Sequence, residues 1–289
     1  MPSTFDYNPQ AEYEVRSFDV QYQKALNQPW EATIYKPEGD GPFPAILFVH
    51  GGAWNVGTRT GTKLFNTALA ASGLVIASVD FRLAPDHSYP AQVEDVSYAI
   101  RWLKAHASEF KASPDSIGGA GASSGGHTLM LAAMRPDDPR YTVLSSPDVE
   151  GHDGTFAYAI AEFPVLDSYA RYQYAISDGY DRLVASTNNY FLNEDAMQEG
   201  NPQGILDRDE DADLPPLLIL QGTADLNIPM SIPRAFAQSY RIAGGDVELE
   251  EFPEMPHRFI EEASDATDKA LELAKAFVAR QLATATAAV

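Results

Sequence analysis

Residues 121–126 read Gly-Ala-Ser-Ser-Gly-Gly and fit the pattern G-x-S-x-G with Ser123 at its centre. The stretch lies where a predicted strand ending near Gly121 meets a predicted helix starting near Ser124, the context this pattern requires. The glycines have a steric purpose. A serine on a sharp strand-to-helix turn has strained backbone angles, and a side chain at either flank would collide with neighbouring backbone, so Ser123 is pushed into the open. Taken alone, the pentapeptide reads equally well as a Gly-Ser loop, and the rest of the chain has to decide.

Working outward, short continuous apolar runs at 45–49, 74–79, 158–160 and 217–220 suit strands buried on both faces. Between them lies helical spacing, as in Val93, Val96, Ile100 and Leu103 after Pro90, a helix-start proline. A last helix from about Ser264 places Leu273, Phe277, Val278 and Leu282 on one face. Strands alternating with helices imply right-handed crossovers, an α/β fold and a mostly parallel central sheet flanked by helices. At the start, 14–22 and 30–36 alternate apolar and polar residues and predict an antiparallel ribbon. The stretch 167–214 breaks the rhythm with Tyr169, Tyr172, Tyr174, Tyr180, Tyr190 and Phe191, then the acidic run 207–213. It is expected to be a lid inserted over the carboxyl edge of the sheet within one domain, 1–289, with most of its tyrosines packing it down and one or two at the pocket.

The 289 residues carry 20 Lys plus Arg against 41 Asp plus Glu, a net charge of −21. Such an excess repels phosphate backbones and anionic lipid, so no nucleic acid and no membrane are expected as partners. A small-molecule substrate fits better, and the sequence is compatible with a homodimer. The absence of cysteine removes disulfides, thiol nucleophiles and Cys-ligated metals. The first thirty residues are polar without an apolar core, and no run approaches the 18 or so residues of a membrane span, so a cytoplasmic location is expected.

A serine nucleophile needs oxyanion donors, a base, and an acid that orients the base. His50-Gly51-Gly52-Ala53-Trp54 directly follows an apolar run, so small residues with free N–H groups lie at a strand end; Ser124 adds a donor at the positive end of the next helix. His257 lies in a loop between a predicted last strand, 247–252, and the last helix, and Asp225 lies just past the strand at 217–220. The other histidines have structural readings: His50 in the oxyanion turn, His106 on a solvated helix face, His152 in a Gly-rich loop, His127 packed under Ser123, and His87 in the loop after 74–79. In that loop Asp80 and Arg82 read as a structural ion pair or hydrogen-bond clamp bracing the floor of the site. Asp207, Asp209, Asp211 and Asp213 alternate like a calcium loop, but Ala212 and Leu218 stand where Gly and Glu are needed, so the run reads as a solvated loop and no metal is expected.

The chain thus resembles the α/β-hydrolase superfamily, and within it the esterases similar to hormone-sensitive lipase and the related acetyl-esterase and arylformamidase-like group. The matching motifs are Val49 to Trp54, Asp80 to Pro90, Gly121 to His127, Leu217 to Asp225 with Pro229, and Met255-Pro256-His257. The order Ser123, Asp225, His257 is the one such a sheet presents at successive strand ends. The resemblance implies Ser123 as nucleophile, His257 as general base and acid, Asp225 as its orienter, and Gly52, Ala53 and Ser124 as oxyanion-hole donors, with no cofactor. Ala53 replaces a third glycine, and Ser124 replaces the commoner alanine; neither change removes an N–H. The short N-terminal region offers little for the helical cap of lipase-like members, so the 167–214 insertion should cover a shallower site.

The implied activity is hydrolysis of small, short-chain acyl esters through an acyl-enzyme. An arylformamide, a lactone or an acetylated sugar would use the same residues, and rates on N-formylkynurenine and acetylated xylan would separate these. A non-catalytic binding protein on the same fold is the reading from another class. Because a histidine base must start neutral, activity should fade in mildly acidic buffer. The acidic rim should favour neutral esters over carboxylate-bearing ones unless Arg171 or Arg82 faces the pocket.

Overall fold

The computed structural model describes residues 7–23 and 29–287; residues 1–6, part of the N-terminal stretch read above for a leader, lie outside that description, as do 24–28 and 288–289. Eight strands form one sheet: β1 (Val15–Gln23), β2 (Trp30–Pro37), β3 (Phe43–Val49), β4 (Val75–Val79), β5 (Ala112–Ala122), β6 (Ala159–Glu162), β7 (Leu217–Gly222) and β8 (Val247–Phe252). Their order is β1-β2-β4-β3-β5-β6-β7-β8. The first two strands form the antiparallel ribbon read from the sequence, β2 runs antiparallel to β4, and every later pairing is parallel.

Strand alternation divides the core into two layers. On β3, Ala45, Leu47 and Val49 face one cluster, and Ile46 and Phe48 face the other. The helices α1 (Lys63–Ala71) and α2 (Ala91–His106) cover opposite faces: Phe65 and Leu69 pack with Ile46, whereas Val93, Val96, Ile100 and Leu103 pack with Leu47. Helix α3 (Ser124–Met134) joins the α2 side and leaves β5 at Ser123.

From β6 the chain enters the stretch 167–214, which holds α4 (Ser168–Ser177), α5 (Asp181–Phe191), α6 (Glu194–Glu199) and α7 (Pro202–Asp207). Asp167 caps α4, its side chain accepting the Ala170 N–H at 3.0 Å. Then follow the exposed acidic loop, β7, α8 (Ser231–Ile242), β8 and α9 (Asp265–Ala287), which returns Phe277, Val278 and Leu282 to the α1 side. No helix among the described residues is long and apolar enough to cross a membrane.

Aromatic residues of 167–214 join a third, smaller cluster in which Trp54, Tyr190, Phe191, Met197 and Ile228 are buried. Trp54 and Tyr190 stack with centroids 5.0 Å apart and planes 3° from parallel, so the turn after β3 is fastened to α5. Asn55 adds polar ties, donating to Ala53 O at 2.6 Å and Ser186 O at 3.0 Å and accepting from Asn189 at 2.8 Å.

Asp80 and Arg82 do not pair with each other, which corrects the ion-pair form of the reading from sequence. Asp80 accepts the Arg59 backbone N–H at 2.7 Å and the Arg59 guanidinium at 2.5 Å. Arg82 instead meets buried Asp95 at 2.9 Å and Glu94 at 2.7 Å, both on α2. Proximity along the chain was the wrong guide, because packing brings Arg59 and Asp95 closer than either sequence neighbour.

Candidate active site

Ser123 stands between β5 and α3 with φ 52° and ψ −117°, a conformation that L side chains rarely adopt. Its N–H donates to Glu162 O at 2.8 Å, and its own carbonyl accepts from Val165 at 3.1 Å, so β6 and the turn that follows it hold the strained residue on both sides. Gly125 is required by close approach: a Cβ there would lie 2.2 Å from Val49 O and 2.4 Å from His50 O. Gly52 is required by backbone angle, with φ +130° and Val56 O only 1.8 Å from where a Cβ would be.

The structure brings Ser123, His257 and Asp225 together. His257 Nδ1 lies 2.7 Å from Asp225 Oδ2, and Nε2 lies 3.0 Å from Ser123 Oγ. A carboxylate can only accept, so Nδ1 carries the proton and the Nε2 lone pair faces the serine hydroxyl. Asp225 is fixed by further donors: Gln221 Nε2 at 2.9 Å on Oδ2, and the N–H groups of Asn227 at 2.7 Å and Ile228 at 2.9 Å on Oδ1. Phe163 packs edge-on against the imidazole, with centroids 4.8 Å apart. Gln221 was not singled out from the sequence; a polar residue closing the apolar run 217–220 was the available signal.

Of the three donors expected from the sequence, Gly52 and Ala53 border the cavity at Ser123, and Ser124 follows that serine as the first residue of α3. Gly51, Gly52, Ala53, Ser123 and His257 border one cavity of about 230 Å³. Among the described residues no acceptor meets the N–H of Gly52, Ala53 or Ser124. Ala53 and Trp54 hold positive φ, 51° and 63°, without being glycine. Trp54 is anchored on several sides: its N–H donates to Ser124 Oγ at 3.1 Å, and its carbonyl accepts from Gln92 at 2.7 Å and Ala84 at 3.0 Å. The serine after the nucleophile therefore ties the two halves of the donor turn together, a function the commoner alanine lacks.

The rival histidines are structural. His127 Nε2–H donates to Gly200 O at 2.8 Å, which leaves Nδ1 to accept the Trp54 indole N–H at 3.2 Å. Full burial lowers its pKa to about 4, so it stays neutral and pins α6 to the donor turn. His50 is buried, stacks on Phe81 at 4.2 Å and donates to Gly51 O at 2.7 Å.

Arginine placement departs from the two candidates named from the sequence. Arg82 is held by Glu94 and Asp95, and Arg171 is buried behind Asn227, so neither lines the cavity. Arg182 and Arg258 do, from α5 and from the turn after His257.

Glu162 was also missed, since the predicted strand stopped short of it. It is fully buried with both carboxyl oxygens unpartnered among the described residues, one strand away from Ser123. Burial, with Glu261 nearby, pushes its pKa well above the ordinary 4.5. A raised folded-state pKa contributes stability below the unfolded value that is lost as pH rises, because the unfolded chain can ionise freely. Glu162→Gln, which cannot ionise in either state, is therefore expected to gain stability relative to the wild type as pH rises from 5 to 8. Thermal unfolding of both proteins at the two pH values checks this; an advantage that shrinks with rising pH contradicts it.

A serine, a histidine and an aspartate in hydrogen-bonded sequence at the carboxyl edge of this sheet define the α/β-hydrolase fold class. The chain matches the BD-FAE family model over residues 33–240, more than half its length, and belongs to that family. Among similar proteins, the Probable carboxylic ester hydrolase LipM of Mycobacterium tuberculosis is 30% identical over 225 residues, covering 76% of this chain and 50% of that one. The chain thus spans about half the length of that relative. A thermophilic esterase of Thermogutta terrifontis with propionate bound superimposes with TM-score 0.73 at 28% identity, covering 93% of this chain and 94% of that one. The same organism's esterase 2 phosphorylated by paraoxon gives TM-score 0.74 at 27% identity, covering 91% and 94%.

Proposed function

We propose that the protein is a serine carboxylester hydrolase that cleaves small, short-chain acyl esters, with the 167–214 insertion as its lid. The observation that carries this reading is the continuous path from Asp225 through His257 to Ser123 Oγ at 2.7 and 3.0 Å, ending on a cavity bordered by unengaged N–H groups. As Ser123 Oγ attacks the ester carbonyl, its proton passes to His257 Nε2 and the carbonyl electron pair moves onto oxygen. The N–H groups of Gly52, Ala53 and Ser124 receive that oxyanion, each worth ~10²–10³ in rate.

His257, now an imidazolium beside Asp225, gives the proton to the leaving alkoxide as the C–O bond breaks. Water repeats the sequence on the acyl-enzyme, releasing the acid and restoring Ser123. These steps call on no group beyond the chain and water. Ester substrates are supported by the name of the Mycobacterium relative and by the propionate-bound Thermogutta esterase. The similar Thermogutta esterase phosphorylated by paraoxon supports an enzyme that organophosphates modify. Turnover of 4-nitrophenyl acetate and butyrate by the wild type, set against Ser123→Ala, tests the reading; equal rates from both proteins would overturn it.

A further inference from the structure

Arg182 is exposed and lines two adjoining depressions that share Leu183, Asn227 and His257: the cavity at Ser123, and a more apolar one of about 470 Å³ bordered by Tyr180, Leu226 and Pro256. In a chain with 41 acidic and 20 basic residues, carboxylates are abundant, and the other arginines have found a partner. Nine basic side chains form ion pairs, Arg101, Arg171 and Arg241 donate to neutral oxygens, and Arg16 lies over Phe18. Among the described residues Arg182 is the one arginine with neither an acceptor nor a ring beneath it. This lone guanidinium borders the same cavity as the candidate nucleophile.

Asn227 supplies an independent observation. Buried Arg171 grips its Oδ1 from Nε at 3.2 Å and from Nη2 at 2.7 Å. A guanidinium only donates, so the amide oxygen must face Arg171 and the amide NH₂ must face away from it. That NH₂ meets no acceptor among the described residues, and Asn227 borders both depressions. Arg171 itself has no carboxylate in contact. Burial lowers its pKa to about 10, which leaves it cationic at neutral pH behind the wall. Of the two acids in the linings, Glu261 is taken by Arg258, and Asp181 sits in the first turn of α5, where helix N–H groups favour it. The wall thus offers a fork of donors, the guanidinium of Arg182 with no carboxylate of its own and the Asn227 NH₂, which suits a planar anion.

We propose that the site accepts an ester bearing a carboxylate, bound by the Arg182 guanidinium and the Asn227 amide. The inference rests on the hydrolase reading above and reverses the preference for neutral esters that net charge alone suggests. Because Arg182 borders both depressions, the carboxylate can lie on the acyl or on the alcohol half.

Two matched pairs distinguish these: 4-nitrophenyl hemisuccinate against 4-nitrophenyl valerate, and 4-acetoxybenzoate against 4-acetoxybenzamide. In one arm the wild type is expected to favour the anion about tenfold in kcat/KM, mostly through KM. Arg182→Gln should lower that anion-to-neutral ratio about tenfold, and Arg182→Lys should restore part of it. A ratio taken within one preparation is insensitive to how much of a variant is folded. Neutral esters equal or better in both arms, or a ratio that Arg182→Gln leaves unmoved, would overturn the inference. Turnover of the neutral esters tests the hydrolase reading by itself: their hydrolysis without an anionic advantage overturns only the carboxylate inference, and no turnover on all four overturns both.

Discussion

Ser123→Ala is expected to lower kcat on short-chain esters by about 10⁵–10⁶-fold, a loss of roughly 7–8 kcal/mol of transition-state stabilisation. The size follows from what remains. The N–H groups of Gly52, Ala53 and Ser124 belong to the backbone and survive the change, so an oxyanion formed by direct attack of water would still be stabilised. That residue of catalysis should amount to ~10³–10⁴ over the uncatalysed reaction. Ser123 sits at φ 52°, and alanine tolerates that angle no better and no worse than serine, so the fold is expected to stay intact. Steady-state kinetics with an active-site titration of the wild type measures the effect; a loss under tenfold would remove Ser123 from the chemistry.

Asp225→Asn should cost about 10⁴-fold in kcat, roughly 5 kcal/mol. The carboxylate accepts four hydrogen bonds, two from backbone N–H groups on Oδ1 and one each from His257 and Gln221 on Oδ2. An asparagine keeps its oxygen toward Asn227 and Ile228, which puts its NH₂ toward His257. Facing a donor, Nδ1 has to become the acceptor, and the ring proton moves to Nε2, where it confronts Ser123 instead of receiving its proton. The Gln221 NH₂ is left opposed to another donor, so a modest loss of stability accompanies the loss of rate. Kinetics on 4-nitrophenyl butyrate across the alkaline range checks this: partial recovery as pH rises is expected, since hydroxide can then assist the serine, and near-wild-type rates at neutral pH would contradict it.

Much of this was legible in the chain because the informative signals are local. The pentapeptide 121–125, the small residues after the run at 45–49, and Asp225 and His257 just past apolar runs each announce a strand end by their own neighbours. A parallel sheet then gathers its carboxyl ends on one edge, which brings Ser123, Asp225 and His257 within hydrogen-bond reach. What stayed hidden depends on partners far apart in sequence. Asp80 looked like the mate of Arg82 until packing supplied Arg59, and Gln221 reads as one more strand residue until its side chain is seen beneath Asp225. Arg182 carries no sequence signal at all, since its meaning lies in the lack of a partner. Glu162 did leave a trace: a single acid at the end of 159–162, among apolar neighbours, is an anomaly in a strand buried on both faces.

The central claim is that Ser123 is a nucleophile primed by His257 and Asp225. Incubation of the folded protein with a fluorophosphonate, followed by intact-mass measurement and peptide mapping, tests it most directly. The expected result is one adduct per chain, on the peptide containing Ser123, abolished in Ser123→Ala and slowed by orders of magnitude in Asp225→Asn. An unmodified Ser123 in protein that still turns over esters, or an adduct on another residue, would contradict the account.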